Sequence, residues 1–90
     1  LTKVQAQFRE CYTSFLTTEP ETKSGRVMLD WQIQPDGDVL EPEVVRSDFP
    51  QATLGECLRD EVARMTFPPP PSGAASYVEH TFRFDFKQEN

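Results

Sequence analysis

GRVMLDWQIQ (residues 25–34), PDGD (35–38) and VLEPEVVRS (39–47) follow one another directly and read as a β-hairpin with its turn written out. In the first arm Val27, Leu29, Trp31 and Ile33 alternate with Arg26, Met28, Asp30, Gln32 and Gln34, the two-residue period of a half-buried strand. Pro35-Asp36-Gly37-Asp38 supplies a fixed φ, a side chain that bonds its own backbone and a glycine free to take positive φ, so the chain reverses there. The second arm alternates less well: Val39 and Val45 share one parity, Leu40 and Val44 the other. A bulge near Glu41-Pro42 reconciles them, and Pro42, lacking an N–H, argues for a sheet edge or bulge.

Outward from the hairpin, the preceding segment carries Leu1, Val4, Phe8, Cys11, Tyr12, Phe15 and Leu16 at spacings of three and four, one stripe of an amphipathic helix. Glu19-Pro20 ends it, because proline disfavours helical geometry in the residue before it, and a polar loop from Glu21 to Ser24 follows. Beyond the hairpin, Asp48 before Phe49-Pro50 predicts a helix start. Leu54, Cys57, Leu58, Val62 and Met65 then form a second apolar stripe, weakened at Gly55. Pro68 to Pro71 stop that helix and carry the chain as a stiff connector. From Tyr77 to Phe86, Val78, His80, Phe82, Phe84 and Phe86 alternate with Tyr77, Glu79, Thr81, Arg83 and Asp85, predicting a last strand with one aromatic side.

Helix, strand, strand, helix, strand, each one-sided, imply an α+β fold in two layers: a three-stranded antiparallel sheet covered on one face by two helices. The pattern leaves open whether the last strand lies beside the first or the second arm. Cys11 and Cys57 lie on helical stripes that face the same sheet, so a disulfide between them is expected, the alternative being two buried thiols that never touch. A bridge would constrain the unfolded chain by roughly 4 kcal/mol in the entropy model and would favour an oxidising compartment.

Ninety residues fit one domain spanning 1–90, and the absence of an initiator methionine is read as an excerpt of a longer protein. A net charge of -6 and a pI near 4.6 disfavour nucleic acid and anionic membrane surfaces as partners. No apolar run reaches the roughly 20 residues of a membrane span, so direct membrane insertion of this segment is not expected.

The ordered set Cys11-Tyr12, Glu19-Pro20, Gly25, Ile33, Asp36-Gly37, Val39, Cys57, Phe67-Pro68 and Phe82-x-Phe84 resembles the C-terminal domain of TonB-like proteins, in the version called the AgmX/PglI C-terminal family. The resemblance covers nearly all of the chain. It departs at Met65, where the family has tryptophan or another aromatic, and at Thr81, where proline is frequent; a threonine restores an N–H to the last strand. The resemblance implies a periplasmic, non-catalytic module of an inner-membrane-anchored protein of a Gram-negative bacterium. Its partner would be an outer-membrane or periplasmic envelope protein, and the rest of the chain would reach an inner-membrane motor. It also implies energy transduction, with force relayed in the gliding motility of myxobacteria or in transport. A partner peptide would then add as a strand along Tyr77 to Phe86, with Tyr77, Glu79, Thr81, Arg83 and Asp85 tuning specificity.

Other chemistry is poorly supported. His80, the only histidine, falls by parity among phenylalanines and not beside Cys11 or Cys57, so a cysteine–histidine nucleophile is not expected. Two cysteines and one histidine on three elements lack metal-ligand spacing, and Asp36, Asp38, Glu41 and Glu43 lack the alternation of a calcium loop, so no metal or cofactor is expected. Phe67 to Pro71 resembles a polyproline ligand but is more simply a rigid connector. Trp31 is expected in the core, its N–H needing one partner, while Tyr77 and Arg83 are the better interface residues. The alternative function is a secreted inhibitor of cystatin-like layout, or another extracytoplasmic binding domain, acting through the Asp36-Gly37 turn and the proline run.

Overall fold

A computed structural model of the chain describes residues 2–18 and 24–85, with side chains from residue 6 onward. The expectations placed on Leu1, Glu19-Pro20, Glu21 to Lys23 and Phe86 lie outside the described residues, and that on Val4 outside the described side chains. The elements are α1 (Thr2–Thr18), β1 (Gly25–Ile33), β2 (Val39–Ser47), α2 (Thr53–Ala63) and β3 (Ser76–Phe84). The three strands form one antiparallel sheet in the order β2-β1-β3. The choice left open by pattern thus falls to β1, which β3 joins in an unbroken register from Gly25 opposite Phe84 to Ile33 opposite Ser76. Flanked on both sides, β1 is the buried centre of the sheet: Val27 and Leu29 are 0% exposed and Trp31 5%.

The hairpin turn closes as its residue types require. Gly37 donates to the Gln34 carbonyl at 2.8 Å, Asp36 Oδ1 accepts from the Asp38 N–H at 2.9 Å, and Gly37 has φ 96°. The Glu41-Pro42 bulge is present: between the pairs Asp30–Glu43 and Gln32–Leu40 one β1 residue faces two on β2, and Glu41 takes φ 53°. A second bulge, which the sequence pattern did not reveal, leaves Val45 unpaired between Met28–Arg46 and Leu29–Val44. Leu40 pairs with Gln32 on the open face, the first bulge turns Val44 to the helix-covered side opposite Leu29, and the second leaves Val45 out of the ladder; all three keep substantial exposure.

The start of α2 differs from expectation. Asp48 does not cap the helix; α2 begins at Thr53, its N-cap Ala52 without a side-chain bond. The Asp48 carboxylate instead accepts the Arg26 N–H at 2.9 Å, while the Asp48 N–H donates to the Arg26 carbonyl at 2.9 Å, extending the ladder past Ser47. Sheet closure outcompetes the cap because it satisfies two backbone groups with one residue. The far end of α2 also differs. The helix stops at Ala63, before the prolines, because Thr66 bridges Asp38 and the Phe67 N–H donates to the Gly37 carbonyl at 2.8 Å. Met65 therefore lies beyond the helix, half-buried against the core.

The core is one cluster fed by four of the five elements: Cys11, Tyr12 and Phe15 of α1; Val27, Leu29 and Trp31 of β1; Leu54, Leu58 and Val62 of α2; Phe82 and Phe84 of β3; and Phe49 from the intervening loop. Gly55 lets α2 approach β2 closely, since a Cβ there would lie 3.0 Å from Val44 Cγ2. Cys11 and Cys57 are joined in a disulfide, S–S 2.04 Å, which ties α1 to α2. Phe8 packs edge-on to Phe82 and Tyr12 stacks on Phe84, each at 4.7 Å between ring centres, so α1 lies along the C-terminal half of β3.

Candidate functional site

Because β1 takes β3 on one side and β2 on the other, the sheet has two edges of unlike quality. The β2 edge is broken by two bulges and by Pro42, and it carries Glu41 in the left-handed region. Such an edge cannot offer a continuous row of backbone donors and acceptors. The β3 edge runs regularly over nine residues, and among the described residues no strand pairs with its outer side. Tyr77, Glu79, Thr81 and Arg83 lie on this edge strand; Asp85 sits one residue past its end.

On the helix-covered face the β3 edge borders an open groove of about 850 Å³. Phe8, Tyr12 and Leu16 of α1 form one wall, Val78, His80 and Phe82 the other, with Trp31, Met65 and Phe67 at the inner end. The groove exists because α1, tied down at Cys11, covers the Phe82 and Phe84 end of β3, while Val78 and His80 extend further along the strand. His80 is exposed there, edge-on to Phe82 at 4.7 Å, far in role from any nucleophile, since both cysteines are bridged. Two buried polar atoms of groove residues, Tyr12 Oη and Trp31 Nε1, have no hydrogen-bond partner among the described residues. The single partner expected for the Trp31 N–H is therefore not found among the described residues. Burial, followed by the charge of Asp85, pushes the Tyr12 hydroxyl above its ordinary pKa.

The opposite face of the sheet is uncovered and its charges are sorted by sign. Residues directly paired across strands share a face. One row across the sheet is Glu43, Asp30 and Glu79, all acidic. The row of Arg46, Met28 and Thr81 follows, and then Arg26 opposite Arg83. The three arginines line a shallow pit of about 110 Å³ together with Met28, Thr81 and Asp48. Asp48 pairs with Arg26 at 3.4 Å, and its carboxyl is held below the ordinary carboxylate pKa, first by the Arg26 backbone N–H. Tyr77, 63% exposed, donates to Asp30 Oδ2 at 2.8 Å with Glu79 Oε2 at 3.4 Å, and the bond to Asp30 is the main cause of its pKa being pushed up to about 12.

Sequence reasoning named Tyr77 and Arg83 but missed the arginine grouping, and it placed Met65 and Phe67 without seeing the groove they floor. Arg26 becomes the neighbour of Arg83 through the unbroken β1–β3 register, and Arg46 joins them through the β1–β2 register that two bulges set; no local pattern encodes either. Among the described residues no group of three or more histidine, cysteine or carboxylate side chains is arranged to hold a metal ion. None of the described helices is long and apolar enough to cross a membrane.

Residues 20–88 match the profile of a protein family described as Gram-negative bacterial TonB protein C-terminal. Two solved structures share the fold. The solution structure of the TonB C-terminal domain of Pseudomonas aeruginosa superposes with TM-score 0.63 at 23% identity, over 82% of this chain and 77% of that one. The solution structure of the Helicobacter pylori TonB C-terminal domain does so with TM-score 0.55 at 14% identity, over 99% of this chain and 86% of that one. At such identities the likeness speaks of the fold. No curated protein matches the sequence significantly.

Proposed function

Because the chain belongs to the TonB C-terminal domain family, we propose that it is a non-catalytic periplasmic interaction module that takes an extended segment of an envelope protein as a fourth strand beside β3. The observation that supports this reading best is the contrast between the two sheet edges. β3 has a regular register with no partner on its outer side among the described residues, whereas β2 is bulged twice and carries Pro42. In strand addition backbone hydrogen bonds supply affinity and alternate side chains supply specificity. The groove beside β3 would receive one set of those side chains. A loop-borne function has less support, because the Gly37 carbonyl and Asp38 at the hairpin tip are already committed to Phe67 and Thr66.

The wider reading is that the module hangs from an inner-membrane anchor and motor and passes force to its partner. The narrower AgmX/PglI assignment, with a role in gliding, rests on the ordered residue set from Cys11-Tyr12 to Phe82-x-Phe84. A membrane span followed by a proline-rich spacer upstream in the gene would support the anchor. The mode of binding is tested by hydrogen exchange with an extended apolar peptide. The amides of residues 76–84 that point away from β1, alternate ones along the strand, should slow at least about tenfold on binding, while those of β2 stay unchanged. Protection on β2 alone, or nowhere, overturns strand addition at β3.

A further inference from the structure

We infer that a strand added beside β3 is selected by two opposite charges four residues apart: an acidic residue beside Arg83 and a basic residue beside Glu79. This inference rests on the strand-addition reading and names the chemistry of the segment that would be taken. Arg83 and Glu79 share the uncovered face of the edge strand and are separated by four residues, about 13 Å of strand. A neighbouring strand places its own alternate residues on that same face, so one of its residues lies beside each.

The two positions carry fields of opposite sign that reach beyond single side chains. Arg83 stands directly across from Arg26, with Arg46 lining the same pit, and the only carboxylate lining that pit is Asp48, which pairs with Arg26. Three guanidinium groups thus face one carboxylate, and like charges directly opposite in a sheet are unfavourable until a counter-charge arrives. Glu79 lies across from Asp30, which in turn lies across from Glu43, three carboxylates in one row. An acidic residue of the added strand beside Arg83 would reach the pit's excess positive charge, and a basic one beside Glu79 would reach the acidic row. The residue between them, beside Thr81, meets no charge on β3. The two beside Phe82 and His80 turn to the groove and should be apolar. The reverse placement sets like charge against like at both ends, so the face rejects as well as attracts.

The test uses three peptides on the intact, oxidised domain: Asp-Val-Thr-Val-Lys, Lys-Val-Thr-Val-Asp and Gln-Val-Thr-Val-Gln, each in the same neutral flanks. Binding is followed by calorimetry and by exchange of the β3 amides. One charged order should bind at least about fivefold tighter than the glutamine peptide, and the advantage should shrink in molar salt, as for exposed ion pairs. In the exchanged domain, Arg83→Glu with Glu79→Arg, the preference should pass to the other order. If all three peptides protect β3 and bind alike, or if the exchange leaves the preferred order unmoved, the charge selection is wrong and strand addition stands. If none protects β3, both fall.

Discussion

Gly37 does more than permit a turn. Its φ of 96° lies where other residues are strained, and a Cβ on it would stand 2.0 Å from the Phe67 carbonyl oxygen. That oxygen cannot yield, since it belongs to the backbone whose N–H bonds the Gly37 carbonyl at 2.8 Å. Gly37→Ala should therefore cost at least about 2 kcal/mol, measured by urea unfolding, through strain at the tip and loss of its tie to the segment after α2. An Asp36→Ala change, which removes only the side-chain bond to the Asp38 N–H, should cost about 1 kcal/mol or less by the same measurement. Equal losses would mean that the tip is held by its own turn chemistry and not by Phe67.

At the scale of elements, the two strands outside β1 are held by different means. β3 places Phe82 and Phe84 in the core, whereas β2 contributes no fully buried side chain and depends on its ladder to β1 and on Val44 against Gly55. Bulges suit β2 because it has no inward row to keep in phase. α1 is held by Phe8, Tyr12 and Phe15 and by the bridge to Cys57, which closes a 46-residue separation. Replacing both cysteines by alanine should lower stability by up to roughly 4 kcal/mol in denaturant titration, while peptide binding at β3 weakens only as far as the α1 wall of the groove loosens. If binding is lost while β3 amides stay as protected in the free domain as before, the groove and not the backbone edge carries the affinity.

The whole molecule is a thin, open-sided body, 50 × 25 × 15 Å, with one core cluster to which α1, β1, α2 and β3 all contribute. With no second cluster among the described residues, the described fold should not persist once Val27, Leu29 and Leu58 separate. Fluorescence of Trp31, the only tryptophan, and far-ultraviolet circular dichroism should report one coincident urea transition, with a slope of roughly 1 kcal/mol/M. Two separated transitions would show that α1 leaves before the sheet.

The amino-acid order by itself determined the strand and helix types, both limits of the hairpin and the face that α1, β1, α2 and β3 bury, because periods of two and of three to four and the Pro35 to Asp38 turn are local signals. It also brought the Cys11 and Cys57 stripes onto one sheet face. Only tertiary packing decided that Asp48 closes the sheet instead of capping α2, that Thr66 and Phe67 end that helix early, and that Val45 bulges. In the first two cases a distant backbone group, at Arg26 or at Gly37 and Asp38, outbid the local preference. The placement of β3 beside β1 was likewise tertiary, and with it came the free edge, the groove and the meeting of Arg26, Arg46 and Arg83. Which residues become neighbours across a sheet depends on register, and register is set by pairing between segments that are far apart in the chain.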